Sequence, residues 1–498
     1  MSCLQRGPAP TLPSNPPGVD RLGPGSIFAP LITLTLTSLV AVGCGGSATP
    51  GGSATPGGSG SAGRPGGPGV YLLILDTARR DALGCYGGPD GVSPHLDSIA
   101  ADGVRFEQAI STSGWTLPSV ASILTGAWPS IHGGLGKIVK LRPIREEIPT
   151  GAEVLAAAGW TTAGFANAAF VSPMLGLDRG FEHFDHRYTY NHDARRADET
   201  LDLVIDWVDA NADERHFVLV HLFDPHLTYD PPGKYASTFT GRRGAPDEPV
   251  TLGTVQELAS KGNGTPSASD VEWIRGVYHG EVAFLDAQVG RFLDTLKTKG
   301  LYDDATIIVV ADHGEEFYEH GGFEHGHTLY DELVRVPLIL KLPKSESAAR
   351  DVVEEPVSLV DILPTVCDLH GVADTPPSFA GRSLLPLVRG RPDTPRAIFS
   401  ESTLYGASKI AWRTPRYKYI VDLDPKAKVP DELYDWRDDP QETRNLVTAD
   451  PALRNRMRGE LHGFFTGLQE RSKTLSKPEI VDMSPPRVKM LKDLGYIR

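Results

Sequence analysis

The chain has 498 residues, 40% of them hydrophobic, and a formal net charge of -14 at pH 7. That is enough for a large core, either one large α/β domain with a smaller companion or several domains. An acidic chain without a long Lys/Arg run is a poor nucleic-acid binder. Its four scattered cysteines, Cys3, Cys44, Cys85 and Cys367, make neither a disulfide framework nor a CxxC metal motif.

The first feature in chain order is LITLTLTSLVAV at 31–42, an uncharged stretch. It is too short to span a bilayer but suits the apolar part of an export signal. Gly43-Cys44 follows and resembles a bacterial lipobox, whose cysteine is lipidated, although Ala41 stands where leucine is usual. Residues 45–69 are rich in Gly, Ser and Pro and hold GGSATP twice, so they read as a flexible tether. Its reach is on the order of 25–30 Å. The expectation is an exported protein, anchored through Cys44 to a bacterial membrane, in the periplasm or on the cell surface.

The globular part alternates strands and helices. VYLLIL (70–75), HFVLVHLF (216–223), ATIIVVA (305–311) and VPLILKL (336–342) are continuous apolar runs, as expected for strands buried on both faces. Helical patterns lie at 93–101, with Ser93 as N-cap, and near 151–158, 193–211 and 268–299. This alternation predicts an α/β fold with a large, mostly parallel central sheet flanked by helices. After residue 372 short alternating segments appear at 396–402, 408–414 and 416–422, then a helix at 451–471. They predict a small antiparallel sheet, with a subdomain boundary between 371 and 395. The expected organisation is 1–44 export segment, 45–69 tether, 70–385 catalytic domain and 386–498 C-terminal α+β subdomain.

Polar residues follow directly on the apolar runs: Asp76 on the first, Asp224 and His226 on the second, Asp312 and His313 on the third. Any one of them alone reads as a cap or turn residue. Together they fall on one edge of a parallel sheet, where sites form. Asp76, Asp312 and His313 offer two carboxylates and an imidazole, a set that suits one divalent ion, Zn, Mn or Ca. Thr116, in GWTLPSVASILTG (114–126), adds a hydroxyl just before an apolar run at 118–125. A helix there would turn about half a unit of positive charge toward an anionic ester. The blander reading makes Thr116 an N-cap. DHGEEFYEHGGFEHGHTLYDE (312–332) is too broken by glycine to be a helix and reads as a metal- or anion-binding loop, with His320 and His327 facing solvent. His132 and Cys85 read as structural residues.

Several segments then resemble a known family: ILDTARRDALGCYG (74–87), SPHLDSIAADGVRFEQA (93–109), LPSVASILTG (117–126), VVADHGEEFYEHG (309–321), LYDELVRVPLIL (329–340), VSLVDILPTVCDLHG (357–371) and ELYDWRDDPQETRNL (432–446). In this order they are similar to the sulfatase branch of the alkaline phosphatase superfamily, over about 70–498. The departures are informative. Arylsulfatases carry a Cys or Ser, oxidised to formylglycine, where Thr116 stands. The arginine of their C/S-x-P-S-R motif is Val120 here, and threonine is not a substrate for that oxidation. The second Asp of the first motif is Thr77, and the Asn after the later Asp is His313. The active-site Lys and His positions fall on Asn167 and Ala169.

The altered set resembles the threonine-nucleophile members of the superfamily, such as phosphoethanolamine transferases. The resemblance implies Thr116 as nucleophile and as a metal ligand with Asp76, Asp312 and His313, and His226 near the leaving group. It implies a further role in the loop for His325, and it puts Glu315 where some relatives hold a second ion. Arg79 is placed near the anionic substrate. Asn167 either bonds a substrate oxygen or pins its own strand end. The function implied is a metal-dependent hydrolase of sulfuric or phosphoric esters, with phosphoesters and phosphonates favoured because formylglycine is precluded. Two alternatives stand beside it. One is a transferase passing the group from Thr116 to an envelope glycan or lipid. The other is a non-catalytic binding protein, although random decay would not leave so coherent a ligand set.

Overall fold

The eight strands of the main sheet are, in chain order, β1 (Gly69–Leu75), β2 (Val104–Phe106), β3 (Thr161–Ala166), β4 (His183–His186), β5 (His216–Leu222), β6 (Thr306–Ala311), β7 (Leu338–Lys341) and β8 (Val352–Val353). Their spatial order is β8-β2-β7-β6-β1-β5-β3-β4. All run parallel except β7, which is antiparallel to both its neighbours. The structure, a computed structural model, describes residues 69–138, 140–187, 194–424, 426 and 430–481. The export segment, Cys44 and all of the expected tether but its last residue lie outside the described residues. That residue, Gly69, is not tether but the first residue of β1, paired with His216.

β1, β5 and β6 are buried along their whole length, which is why their sequences are apolar without alternation. They lie side by side at the sheet centre, so the residues after them emerge at one edge. Helices cover the sheet: α1 (Pro94–Ala101), α2 (Thr116–Thr125), α3 (Ala197–Ala210) and α4 (Ala268–Thr298). Ser93 does stand at the N-cap of α1, but its hydroxyl accepts the Gly84 N–H at 2.8 Å and does not cap the helix. α3 begins at Ala197, later than the expected 193, and residue 193 is outside the described set. All ten residues of α2 are buried, and Gly126 ends it with φ 60°, a conformation glycine adopts without strain. α2 starts at Thr116 itself, with Trp115 in the N-cap position, so Thr116 is not the cap.

The expected C-terminal sheet is present and has a fourth strand: β9 (Ile398–Glu401), β10 (Lys409–Arg413), β11 (Tyr417–Asp422) and β12 (Glu432–Asp435), all antiparallel, followed by α5 (Pro451–Lys473). Its core is shared with the first part of the chain. One cluster joins Trp128, Ile131 and Ile148 to Phe399, Tyr419 and Met457. Another joins Ile110, Leu329 and Leu333 to Ile398 and Ile420. The described residues accordingly group as one unit. No helix among the described residues is long and apolar enough to cross a membrane.

Candidate active site

The three central strands deliver the site. β1 leads into Asp76 and β6 into Asp312 and His313, and both carboxylates and the imidazole are fully buried. One ligand atom from each of Asp76, Asp312 and His313 lies within 4.8 Å of the others, and this is the one such group among the described residues. His313 Nε2 is 3.6 Å from Asp76 Oδ1, 3.3 Å from Asp312 Oδ2 and 3.2 Å from Thr116 Oγ1. These are the spacings of neighbouring ligand atoms around one ion.

The polar atoms here lack the partners that burial demands. Neither oxygen of Asp76 nor Oδ2 of Asp312 has a hydrogen bond. Burial alone would raise Asp76, but the His221, His226 and His313 imidazoles outweigh it and hold Asp76 below the usual carboxylate range. Asp312 goes the other way, to about 7, because it is buried beside the Asp76 charge. Burial would lower His313, but the same two carboxylates raise it. Two buried carboxylates with orphaned oxygens need positive charge, and a divalent cation fits this donor set.

The surroundings fix these groups. Thr77, a β-branched residue, has φ 56°, a strained conformation held in place where the chain leaves β1. Its carbonyl accepts the Tyr278 hydroxyl at 3.0 Å, and that hydroxyl accepts the Arg79 N–H at 2.8 Å. Ser111 and Ser119 both donate to the carbonyl of Asp312, at 2.5 and 2.6 Å. Ser119 sits one turn after Thr116 on α2, so one helix places both the hydroxyl and a brace for the ligand loop.

Beyond His313 lies a row of imidazoles. Its ring centroid is 4.4 Å from that of His325, which is 5.0 Å from that of His226. His226 stacks on Phe223 at 4.4 Å, and its Nδ1 donates to the Leu227 carbonyl at 2.6 Å. Burial lowers it to about 4. Burial also lowers His325, whose Nδ1 lies 3.0 Å from Glu315 Oε1. Glu315, pushed up to about 7 by burial, also accepts the Tyr229 hydroxyl at 3.1 Å. Glu315 and His325 thus adjoin the Asp76–Asp312–His313 group without belonging to it.

Four residues singled out in the sequence are held by partners within the protein. Arg79 is committed: its guanidinium bonds Asp81 at 2.8 and 2.6 Å, Glu319 at 2.7 Å and the Glu315 carbonyl at 2.7 Å. It anchors the ligand loop. Asn167 is the strand pin of its two readings: Nδ2 donates to Thr200 Oγ1 at 2.9 Å and to the His221 carbonyl at 2.7 Å, and Oδ1 accepts from Arg195 at 2.8 Å. His320 and His327 do not simply face solvent, being paired with Glu332 at 2.7 Å and Glu316 at 2.6 Å. The loop itself holds a small ladder, Glu316–Phe317 with Phe323–Glu324, and a short helix, Asp331–Val334. His132 is structural as expected, buried against Ser122 Oγ at 3.1 Å.

The sequence reading missed His221, on β5. Its Nε2 lies 3.3 Å from Asp76 Oδ2, and neither ring nitrogen has a hydrogen bond of good geometry. The only signal was a histidine interrupting the apolar run FVLVHLF. It also missed Arg195, whose setting depends on the Asn167 contact.

The chain matches known proteins over most of its length. The pattern of the family described as Sulfatase covers residues 68–372, and that of N-sulphoglucosamine sulphohydrolase, C-terminal, covers 318–466. The uncharacterized sulfatase YidJ of Escherichia coli K12 is 25% identical over 434 residues, 76% of this chain and 83% of that protein. The phosphonate monoester hydrolase of Agrobacterium radiobacter superposes with a TM-score of 0.65 at 23% identity, covering 81% of this chain and 96% of the other. BT4656, solved with D-glucosamine-2-N,6-O-disulfate, superposes with a TM-score of 0.63 at 20% identity, over 82% and 98%.

Proposed function

Because the chain belongs to the sulfatase family and is a hydrolase of sulfuric or phosphoric esters, we propose that it works through Thr116 as nucleophile beside a single divalent ion, with phosphoesters and phosphonates preferred to sulfates. The observation that carries this is the position of Thr116 Oγ1, 3.2 Å from His313 Nε2 at the Asp76–Asp312–His313 group. Asp76, Asp312 and His313 are the residues that would hold the ion, with Thr116 Oγ1 beside them. An ion bound there lowers the pKa of an adjacent oxygen and draws charge from the ester oxygens.

The chain's own groups do the rest. Thr116, its hydroxyl proton released to solvent, attacks the tetrahedral phosphorus or sulfur through Oγ1 as the bond to the alcohol oxygen breaks, and the start of α2 faces the anionic group with its unpaired N–H groups. His226 serves the departing oxygen. Its Nδ1–H is held by Leu227, so Nε2 must first gain a proton, and an anionic ester beside the buried ring favours the imidazolium. Water then releases the group from Thr116. Threonine cannot become formylglycine, which removes the usual route for sulfate esters and supports the preference for phosphorus.

The test is partitioning. With divalent metal supplied and methanol as a second acceptor, several aryl phosphate, phosphonate and sulfate esters are turned over and the products counted. A covalent Thr116 ester gives one ratio of methyl ester to free acid for every leaving group, and phosphorus esters react faster than sulfates. A ratio that changes with the leaving group means water attacks directly, and Thr116 is then not the nucleophile.

Export and lipidation at Cys44 belong to the same proposal, supported by the apolar stretch at 31–42, Gly43-Cys44 and the Gly/Ser-rich tether. In a bacterial host the protein is expected in the membrane fraction, and Cys44→Ser in the soluble fraction. A Cys44→Ser protein that stays with membranes rules out the lipid anchor. An anchored enzyme would meet envelope glycans or lipids as substrates.

A further inference from the structure

Arg195 is only 4% exposed, yet its guanidinium is incompletely satisfied. Nε donates to Asn167 Oδ1 at 2.8 Å and Nη1 to Asp185 Oδ1, while Nη2 has no partner. The arrangement is rigid, because Asn167 spends its own amide hydrogens on Thr200 and on the carbonyl of His221. A buried charged donor left bare is costly and calls for something that completes it, a water, an ion or a ligand.

Arg195 lines a cavity of about 170 Å³ together with Phe223, Asp224, His226, Thr228 and Glu281. His226 is shared between this cavity and the imidazole row that leads to His313. The carboxyl groups in the wall do not answer Arg195. Asp224 Oδ1 accepts the Ala197 N–H at 3.0 Å, and Glu281 accepts the Asp230 N–H. Burial pushes Asp224 up to about 7 and Glu281 well above the usual carboxylate range, which weakens the negative charge of this wall. Arg196, also in the wall, pairs with Asp230 at 3.2 Å.

We infer that Arg195 is a specificity residue whose Nη2 receives a second anionic group, a carboxylate, sulfate or phosphate on the alcohol part of the ester. The natural substrate then carries two anionic groups, one reacting at Thr116 and one read by Arg195. This rests on the reading that places His226 at the leaving oxygen, since that puts the alcohol part in the cavity. Arginine suits the task because its planar fork keeps two nitrogens on Asn167 and Asp185 while the third serves the ligand.

The experiment separates recognition from chemistry. Binding of phenol, 4-hydroxybenzoate and 4-hydroxybenzenesulfonate to the full chain is measured by titration calorimetry, and kcat/KM is compared for phenyl phosphate and 4-carboxyphenyl phosphate. The charged alcohols are expected to bind about 10–100-fold tighter than phenol, and the carboxylated ester to show the same advantage through KM. Arg195→Gln removes the preference, Arg195→Lys keeps part of it, and Arg196→Gln keeps it. If the charged and neutral alcohols bind the wild-type protein equally, the inference is wrong, and this needs no variant to fold. A full preference in a folded Arg195→Gln protein also overturns it. Arg195-dependent binding without turnover of any ester upholds the anion site and removes the proposed reaction; turnover without charge preference does the reverse.

Discussion

Thr116→Ala is expected to lower kcat/KM for an aryl phosphate or phosphonate by about 10³–10⁶-fold, the range for removing a nucleophile whose partners remain in place. That is about 4–8 kcal/mol of transition-state stabilisation. The fold should survive, because Thr116 lies at the first turn of a helix that keeps its other nine buried residues, and alanine is a good helix former. Metal content, measured on the purified variant, should fall only in part, since Asp76, Asp312 and His313 keep three of the four expected ligands, and assays are run at saturating metal. Thr116→Ser keeps a hydroxyl in the same position and should retain much of the activity. A loss of less than tenfold in a folded, metal-loaded Thr116→Ala protein would mean that water reaches the ester directly and that the 3.2 Å contact with His313 is only structural.

Much of this site was readable in the sequence because its parts obey local rules. A run such as VYLLIL (70–75) is apolar throughout only when both faces of its strand are covered, and a polar residue directly after it must appear at the sheet edge. Asp76, Asp312, His313 and His226 were found by that reasoning, and Thr116 by its place before an apolar run. What was not readable depends on contacts distant in the chain. Nothing in the sequence near residue 167 says that Asn167 turns its amide to Arg195, 28 residues later, and to the His221 carbonyl, 54 residues later. Nothing local shows that Glu319 closes on Arg79 across 240 residues. His221 was missed for the opposite reason: inside an apolar strand one histidine reads as a tolerated core residue, and only its 3.3 Å approach to Asp76 shows otherwise. The ladder at 316–324 was hidden because glycines there signal a loop as readily as a tight turn.

Lys418→Met is expected to destabilise the protein by about 3–5 kcal/mol at pH 8, the cost of breaking a buried ion pair by removing one partner. Lys418 is 1% exposed and lies 2.8 Å from Asp331 Oδ1 and 2.9 Å from Glu442 Oε1. Arg413 completes the cluster, with Nη1 2.5 Å from Asp331 Oδ1 and Nη2 2.8 Å from Gln108 Oε1. Two cations and two carboxylates balance, so methionine leaves one negative charge buried without an answer. Asp331 starts the helix that ends the ligand loop, while Lys418 and Arg413 lie on β11 and β10, so the cluster ties the C-terminal sheet to the chain that carries Asp312 and His325. The loss should depend on pH in a predictable sense. Glu442 is raised to about 7 by burial and by the Asp331 charge, with Lys418 opposing both. A carboxyl raised in the folded state favours folding while it stays protonated and loses that contribution as pH rises through its folded pKa. Without Lys418 its pKa climbs further. Near pH 6 Glu442 then holds its proton in both proteins and the gap between them is small. Toward pH 8 the wild type ionises against Lys418, the variant has no such partner, and the gap widens. Urea unfolding midpoints of both proteins at pH 6 and pH 8 decide it. A shift of the same size at both values would place the cost in packing around the methylene chain and not in the charge that joins the two sheets.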